Sequence, residues 1–370
     1  MKKNLLLSIV VICNYVFSQA PAGYYNSAIG TGYNLKTQLH NIIKNSHTAQ
    51  DYGSLWGLFT TSPFRDMYYE NNNTLLDIYS EKPTGADSYE YSSTSQQCGN
   101  YNAEGGCYNR EHLVPQSFFD NFQIEPMKSD PFHVVPSDGY VNGQRGNYPF
   151  GVVNVASYTS SNGSIRGNNA NSGYSAGYSS IVFEPINEFK GDVARAFFYF
   201  TTRYEDLMTD FYNAADASSC FAKNMFDGSI NKAFSNTFLN IMYQWHIQDP
   251  VSAKEIAQNN AIFTYQGNRN PYIDNPQWVN TVWSANLEQQ KFIAKEVSIY
   301  PNPSDDFVII ESFSKVDTIT IYAVNGKLVE EINQPKFENN NFKIENLTSG
   351  LYFIKISIEE EIIYKKLIIN

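Results

Sequence analysis

Hydrophobic positions change their spacing along this chain, and the changes divide it into parts. Behind Met1-Lys2-Lys3, the stretch from Asn4 to Phe17 is mostly apolar. Apolar residues then recur at helical spacing in Asn34 to Lys44 (NLKTQLHNIIK), in Phe189 to Leu207 (FKGDVARAFFYFTTRYEDL) and within Lys223 to His246. Between these lie loops rich in Gly, Ser, Asn and Tyr, over 85–110 and 157–180. From Val297 onward the period becomes two and Ile and Val dominate, as in FVIIESF, DTITIYAVNGKLVEEI and GLYFIKISI. Asn325-Gly326 between two such runs signals a hairpin. The pattern predicts an α+β fold: a mixed, helix-rich domain over 19–290, a linker over 291–296, and a small all-β sandwich of six or seven strands over 297–370.

The first segment reads as an export signal over residues 1–18. It has a basic start, an apolar middle, and Val16 and Ser18 where a signal peptidase requires small residues, ahead of Gln19. The apolar run is too short to anchor in a bilayer, and no later segment reaches 18 apolar residues. A secreted or cell-surface protein without stable membrane insertion is expected. Of the four cysteines, Cys13 leaves with the signal. Cys98 and Cys107 are placed to close a small Gly/Asn-rich loop in an oxidising compartment, and Cys220 is the odd one. Three cysteines cannot build a four-cysteine zinc site.

Charge narrows the function classes. The net charge is −11, and only 17% of residues are charged. Holding nucleic acid through a broad basic surface is disfavoured, because such binding scales with the phosphates neutralised. All seven arginines fall between 65 and 269, and 19–296 carries 17 basic against 26 acidic residues. The balance allows a local grip on one or two phosphates, with weak nonspecific affinity and modest steering.

The densest polar constellation is Asn109-Arg110-Glu111-His112 followed by Leu-Val-Pro. Adjacent Glu and His on a strand point to opposite faces, so both reach one site only where the strand ends or bends. Phe132 to Pro136 reads as a second strand. Ser137 or Asp138 then caps a short helix bearing Asn142 and Arg145 three apart on one face. Glu111 and Asn142 would offer oxygens to one hard divalent ion, Mg²⁺ first, with Ca²⁺ or Mn²⁺ as alternatives. His112 would serve as a general base near neutral pH. The residues alone leave three readings open: phosphodiester hydrolysis, an unrelated metal or structural site, or an ordinary buried histidine.

NREHLVPQSFF (109–119) followed by DPFHVVPSDGYVNGQRGNYPFG (130–151) resembles the active-site module of the bacterial endonuclease I family, nucleases of the His-Me finger (ββα-metal) class. LLDIYSEKPTGADSYEY (75–91), FEPINEFKGDVARAFFYFTTRY (183–204), DPVSAKEIAQNN (249–260) and QGNRNPYIDNPQW (266–278) extend the resemblance over most of 25–280. It implies a secreted, metal-dependent, largely nonspecific endonuclease that cuts DNA, and often RNA, to leave 5′-phosphates. It further implies His112 as base, Glu111 and Asn142 as metal ligands, and His133 as site support. Some relatives carry a basic insertion between the two strands with an arginine that steadies the cleaved phosphate. Here 113–132 contains only Lys128, so that task is expected to fall to Arg195 or Arg145. Asn147 and Arg110 are expected to support the site.

VSIYPNPSDDFVII (297–310), ITIYAVNGKLV (319–329), LTSGLYFIKI (347–356) and the terminal KKLIIN resemble the C-terminal sorting domain of type IX secretion. Export through the periplasm and engagement of that machinery follow as expectations, with the enzyme a monomer. Two alternatives remain: an extracellular ribonuclease on the same fold, and a noncatalytic adhesion or glycan-binding protein.

Overall fold

The computed structural model describes residues 20–295, 297–312, 315–358 and 361–370. The expected export signal over 1–18 lies outside the described residues. Residues 20–295 form a mixed α+β region. Its centre is a helix, α3 (Lys190–Arg203), in which almost every side chain is buried. The FKGDVARAFFYF run explains this: Val193, Phe197, Phe198 and Phe200 are apolar around the whole circumference, so the helix must be covered on all sides. Each such phenylalanine contributes roughly 1.5–3 kcal/mol of transfer free energy. The cover comes from α1 (Gly32–Asn45), α4 (Asn236–Gln248), α5 (Ala253–Gln266) and α6 (Gln277–Lys295).

Two small sheets flank the helices. β1 (Tyr108–His112) pairs antiparallel with β2 (Val134–Asp138), with Glu111 opposite Val135 and His112 opposite Val134. β2 runs directly into α2 (Gly139–Arg145), capped by the Asp138 side chain, which accepts from the amide of Val141 at 2.8 Å. Gly146, at φ 56°, ends this helix in a backbone conformation that favours glycine. The second sheet orders β3 (Val153–Thr159), β4 (Ile165–Asn169) and β5 (Ile181–Glu184) side by side.

Residues 297–370 form an all-β region of two sheets. One orders β6 (Val297–Tyr300), β7 (Phe307–Ser312) and β10 (Asn341–Glu345) as 10-7-6. The other orders β8 (Thr318–Ala323), β9 (Leu328–Asn333), β11 (Gly350–Ile358) and β12 (Glu361–Ile369) as 12-11-8-9. Alternate residues Val308, Ile310, Ile319, Ile321, Ile354 and Ile356 share one core, as period two demands. The hairpin at Asn325-Gly326 joins β8 to β9.

Local propensity sets where two of the helices begin and end. The linker expected over 291–296 is helical through Lys295, because α6 continues across residues with good helix propensity. Within 223–246 only Asn236 onward belongs to a long helix. The stretch before it carries Asp227-Gly228-Ser229, whose side chains satisfy their own backbone, which competes with helix. No helix among the described residues is long and apolar enough to cross a membrane.

Candidate active site

β1, its following turn, α2 and β4 surround an open cleft of about 610 Å³ lined by Glu111, His112, Asn142, Arg145, Arg166 and Phe221, among others. Strand alternation separates neighbours in β1. Asn109 and Glu111 face α2, while Arg110 and His112 face Tyr52. Because β1 ends at His112, both Glu111 and His112 still border the cleft.

Glu111 is 1% exposed. Its Oε1 accepts from Tyr79 Oη at 3.0 Å and pairs with Arg145 Nη1 at 2.9 Å, while Oε2 has no partner among the described residues. Burial raises its pKa to about 7 against the opposing pull of Arg145 and the Tyr79 hydroxyl. Asn142 donates Nδ2 to Asn109 Oδ1 at 2.7 Å, which leaves its own Oδ1 without a partner among the described residues. Two hard oxygens, one carboxylate and one amide, are thus left over at the cleft. They fit a divalent cation that completes its shell with water.

His112 is half-buried and its Nε2 lies 3.1 Å from the carbonyl oxygen of Lys128. A carbonyl only accepts, so Nε2 carries the proton and the neutral ring keeps its lone pair on Nδ1. Burial, with His133 6.0 Å away, lowers the pKa of His112 to about 3, so the ring is neutral at working pH. His133 is fully buried on β2's approach, and its Nε2 donates to the carbonyl of Met127 at 2.7 Å. The two rings grasp successive carbonyls of one short turn, Met127–Ser129.

The local sequence holds these groups in place through backbone contacts. Asp77 Oδ2 accepts the Asp138 amide at 2.7 Å, and Asp138 Oδ2 accepts from Tyr91 Oη at 2.6 Å and the Gly105 amide at 2.9 Å. Cys98 and Cys107 form a disulfide beside this junction, and the Cys107 carbonyl accepts the Gly139 amide at 2.9 Å. A Cβ at Gly143 would lie 2.7 Å from the Tyr101 ring, so a larger residue there would push that partly exposed ring aside.

The arginines are not distributed as expected. Arg195, expected as a phosphate clamp, is 1% exposed and does not line the cleft. Its Nε and Nη2 hold both oxygens of Glu255, and Nη1 donates to the Asp249 carbonyl at 2.8 Å. Burial forces a cation to find an acidic partner, and α5 supplies one that lies too far along the sequence to be noticed. Arg145 borders the cleft but is 1% exposed and committed inward to Glu111 and to the carbonyls of His112 and Leu113, so it braces α2 against β1. Arg110 stacks 3.4 Å over Tyr52 and 4.1 Å over Trp56 and donates to the Tyr52 carbonyl. Asn147 ties the end of α2 to Ser219.

Arg166, on β4, was not singled out by sequence reasoning. It lines the cleft, makes one hydrogen bond to the Gln144 carbonyl at 2.9 Å, and pairs with no carboxylate among the described residues. Next to it Tyr148 and Phe221 stack at 5.2 Å, and Phe221 is 40% exposed. No motif surrounds Arg166, so only the fold of the β3–β5 sheet brings it forward. The described residues also hold a carboxylate group able to coordinate a divalent metal, Asp66, Glu70 and Glu81, none of which lines the cleft.

Hard oxygen donors beside a neutral imidazole, in an open cleft, are the setting of a metal-dependent nuclease. Comparison with known proteins agrees. A family model described as Endonuclease I matches residues 31–277, and one described as Secretion system C-terminal sorting domain matches residues 298–370. Extracellular ribonucleases of Bacillus amyloliquefaciens and Bacillus subtilis (strain 168) are each 31% identical over 262 residues, covering 70% of this chain and 78% of theirs. The chain belongs to the endonuclease I family and is a metal-dependent nuclease that carries a type IX secretion sorting domain.

Proposed function

We propose that the protein is a secreted endonuclease that hydrolyses RNA phosphodiesters, and DNA on the same site, to give 5′-phosphate ends. The observation that carries this reading is the His112 ring, held neutral with Nδ1 free, beside the unpartnered oxygens of Glu111 and Asn142. His112 Nδ1 takes the proton from the attacking water. Glu111 and Asn142 would hold one divalent ion, Mg²⁺ before Ca²⁺ or Mn²⁺, in a finger of two strands and a helix. When bound, that ion supplies charge neutralisation at the scissile phosphate and the leaving oxygen. Arg166 binds a phosphate oxygen, and Phe221 offers a face for an unpaired base.

RNA is placed ahead of DNA because the relatives above are named ribonucleases and an exposed aromatic beside a cation suits single strands. The enzyme acts as a monomer exported across the periplasm, with residues 1–18 as its signal, 19–290 as the catalytic part and 297–370 as its address.

The test compares cleavage of single-stranded RNA, single-stranded DNA and duplex DNA by the parent and His112→Ala, with Mg²⁺ and with EDTA. RNA cut fastest, 5′-phosphate ends, and loss of activity in EDTA and in the variant are expected. Parent-like rates in His112→Ala would sink the assigned base. Cleavage that needs a 2′-hydroxyl, or that leaves cyclic phosphates, would contradict attack by water.

A further inference from the structure

Asp66, Glu70 and Glu81 each offer one oxygen, and the three lie within 4.8 Å of one another. That spacing suits a single calcium ion, since two oxygens on opposite sides of Ca²⁺ sit about 4.6–5.2 Å apart. Asp66 and Glu81 are each 1% exposed. Asp66 Oδ1 accepts the amides of Tyr68 and Tyr69 at 3.0 and 2.9 Å, while its Oδ2 is buried with no partner. Glu81 Oε1 is likewise buried with no partner.

Among the described residues none of the three carboxylates has an ion-pair partner. The nearest cations in sequence are turned elsewhere: Arg65 donates to the carbonyls of Asn73 and Ser92, and Lys82 to Ser88 Oγ. Asp87 adds further negative charge within electrostatic reach of Glu81. Two buried carboxylate oxygens, Asp66 Oδ2 and Glu81 Oε1, thus converge with no donor on either and lack the compensation that burial demands. A hard cation supplies it.

We propose that Asp66, Glu70 and Glu81 form a calcium site, separate from the cleft, that clasps the 66–74 loop to the segment 75–81. The loop is already closed at its neck, where the Asp66 amide donates to the Thr74 carbonyl and the Asn73 amide to the Asp66 carbonyl. The clasped segment includes Asp77, which holds the Asp138 amide, and Tyr79, which holds Glu111. The ion therefore braces the cleft from behind without touching substrate. Calcium is favoured over transition metals by an all-oxygen donor set, and over magnesium by the three carboxylates gathered on protein alone.

Equilibrium dialysis against Ca²⁺ and thermal melting, on the full chain, test this for the parent and Asp66→Asn/Glu81→Gln. The double variant is expected to bind one calcium ion fewer than the parent. In EDTA it should melt at or above the parent, because the repulsion is gone, and it should lose most of the rise in melting temperature that Ca²⁺ gives the parent. Glu70→Gln, a milder change in the loop, should bind calcium roughly tenfold more weakly. Equal stoichiometry in parent and double variant, or a parent whose melting Ca²⁺ leaves unmoved, would overturn the site and favour carboxyls that share a proton. Because the comparison counts ions lost on changing residues outside the cleft, its failure leaves the cleft reading standing.

Discussion

Replacing Arg166 and Arg145 separately tests how the arginines divide their work. Arg166→Gln removes a cation whose only hydrogen bond among the described residues is to the Gln144 carbonyl, from a half-buried position. The stability cost is expected to be about 1 kcal/mol or less. A charge-assisted hydrogen bond to phosphate contributes about 1.5–3 kcal/mol, and each 1.36 kcal/mol is tenfold in rate, so kcat/KM should fall roughly 10- to 150-fold. Arg145→Met does the opposite. It removes the partner of a buried Glu111 and the donor to two carbonyls, and leaves the carboxylate uncompensated. That change should destabilise the protein by about 3–5 kcal/mol. Steady-state cleavage of a short oligonucleotide, beside urea unfolding of both variants, reads the two effects. Parent-level kcat/KM in a folded Arg166→Gln, or an Arg145→Met as stable as the parent and altered only in KM, would refute the division.

Three further outcomes are expected. Asn109→Ala frees the Asn142 amide to rotate, so Mg²⁺ affinity should fall about 10- to 100-fold in a titration of rate against metal, with thermal unfolding nearly unchanged. Cys98→Ser/Cys107→Ser opens a short loop at the β1–α2 junction and should lower stability by up to about 3 kcal/mol in urea, with no loss in the parent after mild alkylation. His246 has a pKa lowered to about 4 by burial and by Arg195, whereas the unfolded residue titrates near 6.5. Unfolding therefore binds a proton between those values, and stability falls on acidification through that window. His246→Gln should lose about 2–3 kcal/mol less than the parent between pH 7 and pH 4.5.

What could be read from the sequence was local. The period-two pattern after Val297 and the hairpin at Asn325-Gly326 required only neighbouring residues. So did the cap of α2, because Asp138 acts on an amide three positions away. The strand end at His112, which lets Glu111 and His112 share a cleft, is the condition that their adjacency in sequence sets. The arginines were not legible in this way. Arg195 meets Glu255 across 60 residues, and Arg166 reaches the cleft through a sheet whose register no short motif encodes. The orphaned oxygens of Asp66 and Glu81 were invisible for the same reason, since burial is a property of the packed chain.

The proton on His112 is directed by main chain, through the Lys128 carbonyl. Every amino acid brings that carbonyl, so orienting the ring places no demand on the identity of residue 128. What it constrains is the path of the 126–130 turn. Substitutions across the exposed stretch 120–125 are thus free to accumulate wherever they keep that turn in position, while a deletion that shifts it by one residue would put the wrong atom against the ring. That exposed stretch can therefore diverge in sequence without disturbing the ring that the turn orients.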